Sequence, residues 1–292
     1  MCRLFGMSGG PEPVRATFWL LEAPDSLSQQ SRREPDGTGI GTYREGRAVI
    51  EKQVLAAYED QDFGREARQL QSRTFVAHVR YASNGGLELK NTHPFEQDGR
   101  IFAHNGVLGD VGRLEAELGP AISQVHGDTD SERWFALITR EIERADGDVG
   151  AGITVAARWV AANLPLLSVN FILIDSDELW ALRYPDTHEL HVLERDAGGH
   201  TGERSLEHRS RRGRGRIHVN SEELGDRPAV IVATEPMDED PGWRELRSGE
   251  LLHVDPQLGV HTELVVDSAP AHLLTLADLD PRAAASQQPA TR

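Results

Sequence analysis

The sequence predicts an α+β fold in which two stacked β-sheets are covered by helices. Short apolar segments of alternating hydrophobicity recur along the chain, a pattern typical of half-buried strands. Longer segments with apolar residues at three- to four-residue spacing form two separate groups, which is typical of amphipathic helices. Each apolar face must be buried against another layer, so this arrangement favours two sheets between helical layers.

The first half of the chain is rich in strands. We expect one helix, over residues 14–21, and a turn at Glu45-Gly46 between two paired strands. In the strand over 74–82, alternation places Val76, His78 and Arg80 on one face and their neighbours on the other. The predicted strands cover residues 3–8, 38–43, 48–54, 74–82 and 100–104, the last ending at a turn formed by Asn105-Gly106.

The second half begins with helices and returns to strands. The helix over 130–144 has the most regular apolar stripe, which includes Trp134, Ile138 and Ile142. The other predicted helices cover 110–118 and 153–162, and the predicted strands cover 168–174, 178–184, 190–193, 229–234, 251–254 and 260–266.

Composition limits the function classes. The chain has 292 residues, 38% of them hydrophobic, and a formal net charge of -16, which argues against bulk affinity for nucleic acid or an anionic membrane. No apolar run approaches the roughly 18–20 residues of a membrane span, and no signal-peptide pattern is present. One cysteine allows no intrachain disulfide. We therefore expect a soluble cytoplasmic protein with no membrane or nucleic-acid partner.

Two segments fall outside the regular pattern. Residues 195–221 carry many arginines among glycines and serines and are interpreted as a mobile loop inserted between strands, with nucleic-acid binding as the alternative. Residues 267–292 are rich in Ala, Pro, Gln and Thr and predict a flexible C-terminal tail. One domain over 2–266 remains.

Cys2 is the most informative residue for chemistry. It directly follows Met1 and is the single cysteine of the chain. Its small side chain should permit removal of Met1, which would give one residue both a thiol and a free α-amine. An α-amine titrates at about 7.7–8.0, so it can take the thiol proton at cellular pH. The alternative is that a lone cysteine is a small buried hydrophobe.

Further motifs follow Cys2 in a fixed order and together resemble the class II glutamine amidotransferases, which are N-terminal-nucleophile hydrolases that cut the side-chain amide of glutamine. The resemblance extends from Cys2 to about Val254 and implies a four-layer αββα sandwich and a Cys2 nucleophile. We expect no cofactor. The motifs are Met1-Cys2-Arg3-Leu4-Phe5-Gly6, Pro35-Asp36-Gly37-Thr38-Gly39, His78-Val79-Arg80-Tyr81-Ala82-Ser83, Thr92-His93-Pro94-Phe95, Ala103-His104-Asn105-Gly106 and Gly127-Asp128-Thr129-Asp130-Ser131-Glu132.

A glutaminase must hold an amino acid at both ends. The substrate α-carboxylate needs a planar bidentate donor, which the Arg80 guanidinium supplies, and Ser83 could add a hydroxyl donor. The resemblance also implies that Arg80 grips this carboxylate, and a structural ion pair is the alternative. Tyr81 is expected to pack beside the glutamine, and His93 with Pro94 to shape the substrate loop.

The substrate ammonium needs an anion. Thr129 and Glu132 form the pattern of a capping box, so helix capping alone could explain this motif. If Thr129 caps the helix, Asp130 is left free at the first helical position, where its carboxylate can point outward. The resemblance implies that Asp130 binds the ammonium, and Asp128 is a weaker candidate.

The amide oxygen needs fixed donors as charge develops on it. Asn105 offers a side-chain amide and Gly106 a backbone N–H, so we expect this pair to form an oxyanion hole, although an Asn-Gly pair can be only a turn. A metal site formed by His78, His93, His104 and His126 is a further alternative. It lacks the usual His-Glu-x-x-His or paired-cysteine pattern, so we predict no metal.

The sequence thus predicts a stand-alone amidase that cleaves the γ-glutamyl amide of glutamine or of a γ-glutamyl conjugate through a Cys2 thioester. The resemblance is strongest to small bacterial members, a group that includes the γ-glutamyl amidase of ergothioneine synthesis. Thr38 departs from the tryptophan usual there. Two alternatives stay open, namely a glutaminase subunit that delivers ammonia to a separate synthase and a non-catalytic glutamine-binding module. The residues predict neither the amine half of the substrate nor an oligomeric state.

Overall fold

The computed structural model contains two β-sheets that lie face to face with helices on both outer sides, as the sequence predicts. It describes residues 2–32, 36–80, 86, 88–198, 205–209, 216–220 and 227–287.

The described strands are β1 (Arg3–Ser8), β2 (Thr38–Arg44), β3 (Arg47–Gln53), β4 (Thr74–Val79), β5 (Phe95–Gln97), β6 (Arg100–Leu108), β7 (Pro165–Ile174), β8 (Leu179–Arg183), β9 (His191–Arg195), β10 (Ser205–Arg209), β11 (Arg216–Asn220), β12 (Ala229–Ala233), β13 (Arg244–Glu245), β14 (Glu250–Val254), β15 (Val260–Leu264) and β16 (His272–Leu273). The first sheet has the strand order β13-β9-β12-β1-β4-β2-β3, and the second has the order β15-β14-β8-β7-β6-β5 with β16 added beside β7.

The described α-helices are α1 (Leu27–Gln30), α2 (Gln61–Gln69), α3 (Val111–Leu118), α4 (Asp130–Arg144), α5 (Val149–Asn163) and α6 (Pro281–Gln287). A single π-helical turn covers Phe18–Glu22, and 3₁₀ turns cover Leu89–Asn91, Gly119–Gln124 and Leu276–Asp278. No helix in the described ranges is long and apolar enough to cross a membrane.

Three apolar clusters fill the three spaces between the layers. Helices α4 and α5 pack on the second sheet through a cluster that includes Trp134 and Phe171. The π turn, α1 and α2 pack on the first sheet through a cluster that includes Trp19 and Phe75. The third cluster lies between the two sheets and includes Ile172. This order of helix, sheet, sheet and helix is the predicted four-layer sandwich.

Strand alternation assigns the side chains to these layers. In β4, Phe75, Ala77 and Val79 face the first helical layer, whereas Val76 lies between the sheets, which confirms the predicted alternation. The sheets lie close together at Gly6 of β1, where an added Cβ would lie 2.8 Å from the Ile172 side chain. A larger residue at this position would push the two sheets apart.

Two local predictions are wrong. The helix expected over 14–21 is only the π turn at Phe18–Glu22, because Val14 instead makes a bridge to Ser72. Asn105 and Gly106 do not form a turn, since β6 continues to Leu108 along β7. A two-residue hairpin turn of Asn-Gly type needs positive φ at both positions, and neither residue has it. Sequence reasoning also missed α2 and β5.

The two segments set apart in the sequence differ from expectation where the structure describes them. Arg195 ends β9, part of the arginine-rich segment forms a hairpin of β10 and β11, and residues 199–204, 210–215 and 221 of the predicted loop lie outside the described residues. The C-terminal segment was expected to be flexible, but β16 pairs with β7 and α6 buries Ala283, Ser286 and Gln287. Ala283 and Gln287 are buried contacts, whereas other alanines of the segment, such as Ala285, are exposed, and composition alone does not reveal which of them pack.

Candidate active site

A small cavity beside the C-terminal parts of β4 and β6 collects most of the predicted site residues. Its volume is about 30 Å³. Side chains or backbone from β4, β6, the 3₁₀ turn before β5, the start of α4 and the end of α6 surround it. The lining residues are Cys2, His78, Arg80, Asn91, His93, His104, Gly106, Thr129, Asp130, Ser131 and Gln287.

Cys2 is buried immediately before β1, and the start of that strand is held from several sides. The Leu4 N–H donates to Thr234 Oγ1 at 2.9 Å, and the Thr234 N–H donates back to the Leu4 carbonyl at 3.2 Å. The fully buried Arg3 guanidinium pairs with Glu235 at 2.7 Å. These contacts fix the backbone beside the thiol, so Cys2 has a defined position at the cavity.

Arg80 lies at the end of β4 and is buried, with 4% of its surface exposed. Its backbone N–H donates to the Gly37 carbonyl at 2.8 Å, and its Nη1 donates to the Gly86 carbonyl at 3.2 Å. Burial lowers the pKa of the guanidinium, opposed by negative charge on Cys2 and Asp36. Arginine still stays protonated, so the cavity holds a fixed positive charge next to the thiol.

Gly106 of β6 lines the cavity, whereas the neighbouring Asn105 is not among the lining residues. Asn105 Nδ2 donates to the Cys2 carbonyl at 2.9 Å, which ties the second sheet directly to the nucleophile candidate. At Gly106 an added Cβ would lie 1.8 Å from the Ser168 carbonyl oxygen. Only glycine therefore fits where β6 and β7 come this close.

The start of α4 forms the third wall. Thr129 caps the helix by accepting from the Glu132 N–H, whereas the Glu132 carboxylate accepts from His126 and Gly127, so the predicted reciprocal capping box forms only in part. Asp130 was expected to be free. Its carboxylate instead accepts hydrogen bonds from the Leu108 N–H at 2.8 Å and the Ser131 N–H at 2.9 Å. Its carboxylate couples α4 to β6 while it lines the cavity.

Three histidines are buried at the cavity. The rings of His78 and His93 lie 4.2 Å apart, and His104 Nδ1 lies 2.9 Å from Ser131 Oγ. Burial lowers the pKa of His78 to about 3, with a further contribution from Arg80. Burial also lowers the pKa of His93 well below its ordinary value. It lowers the pKa of His104 too, and there the negative charge of Asp130 opposes the shift. All three rings are therefore neutral at neutral pH.

Some predicted residues do not join this group. Tyr81 and Ser83 lie outside the described residues. Asp128 is exposed and pairs with Lys90 at 2.9 Å instead of lining the cavity. His126 is not at the cavity, and within the described residues no three His, Cys, Asp or Glu side chains are placed to hold a metal ion.

Sequence reasoning missed Asn91, Ser131 and Gln287 as cavity residues. Asn91 exchanges hydrogen bonds with Asp128, at 2.8 and 3.2 Å, and so joins two loops at the cavity. Ser131 stands within a quoted motif, but no role was assigned to it. Gln287 carries no sequence signal, because it lies in a segment interpreted as a tail.

The chain matches a known protein family over most of its length. The family model described as glutamine amidotransferases class-II matches residues 1–272. The γ-glutamyl-hercynylcysteine sulfoxide hydrolase of Mycobacterium tuberculosis strain CDC 1551 is 27% identical over 264 residues, which are 87% of this chain and 93% of that protein.

Solved structures share the fold. A predicted glutamine amidotransferase from Pseudomonas aeruginosa PA01 has a TM-score of 0.60 at 22% identity, over 90% of this chain and all of that one. The glutamine phosphoribosylpyrophosphate amidotransferase of B. subtilis has a TM-score of 0.63 at 19% identity, over 92% of this chain. This chain spans only 50% of that enzyme.

The chain belongs to the class II glutamine amidotransferases. Its sandwich has the N-terminal-nucleophile hydrolase fold of that family, and the protein is an enzyme of this class, with a hydrolase among its distant relatives.

Proposed function

We propose that this protein hydrolyses a γ-glutamyl amide through a thioester on Cys2. The observation that carries the proposal is the convergence of Cys2, Arg80, Gly106 and Asp130 on one cavity, although they come from distant parts of the chain. The Cys2 thiolate would attack the amide carbon, and the amine would leave with a proton as the carbon–nitrogen bond breaks. Water would then attack the thioester, which releases glutamate and restores the thiol.

The two ends of the glutamyl group have matching partners. Arg80 supplies a buried bidentate donor for the α-carboxylate, and such charge-assisted pairs are stronger than neutral hydrogen bonds. Asp130 supplies the anion for the ammonium. Its existing hydrogen bonds hold the carboxylate in place, and lone pairs remain because a carboxylate has about four acceptor positions. This supports Arg80 and Asp130 as anchors at the two ends of the substrate.

The oxyanion would lie near Asn105 and Gly106. Asn105 Nδ2 has two hydrogens, and the bond to the Cys2 carbonyl uses one of them. In β7, Val169 donates its N–H to Tyr184 at 2.7 Å, away from β6. Its partner Gly106 therefore directs its own N–H to the opposite edge, beyond the end of β5. These two donors suit a charge that develops next to Cys2.

The proton of the thiol is assigned to the α-amine of Cys2, exposed when Met1 is removed. The three cavity histidines have a lowered pKa because they are buried, so they are poor acceptors near neutrality. An α-amine with a pKa of about 7.7–8.0 is better matched to that task.

The favoured substrate is a conjugate larger than glutamine. The relative from M. tuberculosis, which aligns over nearly its full length, is named for hydrolysis of such a γ-glutamyl conjugate. Contacts to a large amine would add transition-state binding that ammonia cannot provide. The second candidate is a glutaminase that passes ammonia to a separate synthase. This candidate is supported by the shared fold with an amidotransferase of which this chain spans only 50%.

The test is glutamate release from a panel of γ-glutamyl amides, glutamine included, by purified protein whose intact mass is measured in parallel. We expect the active protein to begin at Cys2 and a conjugate to give a higher kcat/KM than glutamine. If glutamine is the best substrate, or becomes good only with an added synthase, the ammonia-donor function replaces the conjugate amidase. Full activity with Met1 quantitatively retained would refute the α-amine base.

A further inference from the structure

The last described residue of the chain reaches the candidate active site. Gln287 ends α6, is 3% exposed and lines the same cavity as Cys2, Arg80 and Asp130. Its Nε2 donates to Ser286 Oγ at 3.1 Å. Its Oε1 is buried and has no hydrogen-bond partner among the described residues. A side-chain carboxamide, the group this family cleaves in glutamine, therefore already lies beside the nucleophile candidate.

The helix is docked by its own contacts. Asp280 caps it by accepting from Arg282 and Ala283, and Ser286 Oγ donates to the Ala283 carbonyl at 2.7 Å. Ala283 and Ser286 are buried against the body of the protein. Upstream, the Leu274 N–H donates to the Leu166 carbonyl beside the β16–β7 pair. The segment is thus anchored at its start, whereas Gln287 lies at its far end.

The docked helix leaves too little space for a substrate. The remaining cavity of about 30 Å³ is the volume of one or two water molecules, whereas ligand pockets usually measure about 300–1,000 Å³. Most other lining groups belong to strands or to the start of α4, which are fixed by sheet or capping bonds. Gln287 lies on α6, a helix of 7 residues that belongs to neither sheet, so it is the lining group that can leave at the lowest cost.

We propose that α6 is an autoinhibitory plug in which the Gln287 carboxamide occupies the place of the substrate carboxamide. The helix must undock before a γ-glutamyl amide can reach Cys2. The identity of the displaced ligand rests on the proposed function, but the closure itself does not. No covalent step is involved, and the docked and undocked states are two positions of one segment.

The single cysteine gives a direct measure of closure that needs no turnover. The rate of Cys2 alkylation by iodoacetamide, followed by intact mass, is compared between the unmodified chain, Gln287→Ala and Ala283→Glu. Gln287→Ala removes the side chain that closes the cavity, and Ala283→Glu places a charge in the buried face by which α6 docks. Ala285→Glu is the matched control, because Ala285 is exposed on the same helix. Thermal unfolding checks that each variant is folded.

If the undocked state holds about 0.1–10% of molecules, both test variants should be alkylated roughly tenfold faster or more, and Ala285→Glu at the unmodified rate. KM for the best γ-glutamyl amide should fall by the same factor with kcat unchanged. Equal alkylation rates in all four folded proteins would overturn the plug. Faster alkylation without hydrolysis of any γ-glutamyl amide would support the plug and refute the proposed function.

Discussion

The middle and one end of the space between the two sheets are built from the same strands but differ in character. In the middle, Val76, Ile101 and Ile172 form a continuous apolar cluster. Further along the strands, the same inward faces carry polar side chains. In β4, His78 is two residues after Val76, and in β6, Asn105 is four residues after Ile101. All five side chains are buried, so solvent exposure does not separate the two regions. What separates them is that the side chains at the end carry polar atoms, some of which have no hydrogen-bond partner among the described residues.

The end of the sandwich is the energetically costly region. Both ring nitrogens of His93 are buried without a hydrogen-bond partner among the described residues, as is Asn105 Oδ1. An unpaired buried polar group costs about 1–3 kcal/mol, whereas burial of one large aliphatic side chain contributes about 1.5–3 kcal/mol. The apolar middle therefore offsets the polar end, and we expect stability and activity to be separable along the same strands.

Two substitutions should separate activity from stability along these strands. Cys2→Ala should abolish glutamate release because no other thiol exists in the chain, and it should change stability little. Ile172→Ala should lower the free energy of unfolding by about 2–5 kcal/mol because it opens a cavity in the packed middle. Its folded fraction should keep kcat/KM close to the unmodified value. Glutamate assays and urea unfolding of both variants measure the two quantities.

Two results with Cys2→Ala and Ile172→Ala would contradict this separation of activity from stability. Turnover by Cys2→Ala would remove the thiol from the mechanism. A stability loss in Cys2→Ala as large as that of Ile172→Ala would show that the two ends of the inter-sheet space share one structural role.

The sequence predicted the regular parts of this molecule better than its exceptions. The alternation in β4 and the apolar stripe of α4 were both correct, because each depends on a period that local geometry imposes. Asn105-Gly106 was predicted as a turn because the pair has strong local preferences, but pairing with β7 extends the strand. Tertiary contacts can override local propensity in this way.

The site was predictable where motifs named its residues and unpredictable where packing brought in others. Cys2, Arg80 and Asp130 were found from chemistry and resemblance, and all three line one cavity. The fixed position of Asp130 under the Leu108 N–H could not be foreseen, because it depends on how α4 meets β6. Gln287 lies 285 positions from Cys2 along the chain, and no local pattern marks that contact.

Within the polar end, the geometry of the Arg80 guanidinium should matter more than its charge. Arg80→Lys should raise KM for the best γ-glutamyl amide about 10- to 100-fold with a smaller change in kcat, because an ammonium cannot reproduce the bidentate fork. The positive charge is kept, so the effect isolates geometry from charge. Arg65→Lys is the control, since Arg65 is exposed on α2. Unchanged KM in Arg80→Lys would assign Arg80 to a structural role.

The free energy of unfolding should depend on pH through the buried histidines of the polar end and not through the apolar middle. Burial lowers the pKa of His78 to about 3, whereas a histidine in the unfolded chain titrates near 6.5. Between these values the unfolded state binds more protons than the folded state, so the free energy of unfolding falls as pH falls. Each such histidine contributes a slope of at most about 1.4 kcal/mol per pH unit within that window. The apolar middle contributes none.

The measurement is urea unfolding at several pH values between 7.5 and 4 for the unmodified protein, His78→Gln and His272→Gln. His272 is exposed and serves as the control for loss of one histidine. Carboxylates elsewhere titrate in all three proteins alike, so the difference in slope isolates the buried ring. We expect His78→Gln to lose part of the acid sensitivity and His272→Gln to keep all of it. Parallel slopes for all three proteins would mean that His78 accepts a proton in the folded state, and the cavity would then not be the low-polarity environment that keeps its histidines neutral.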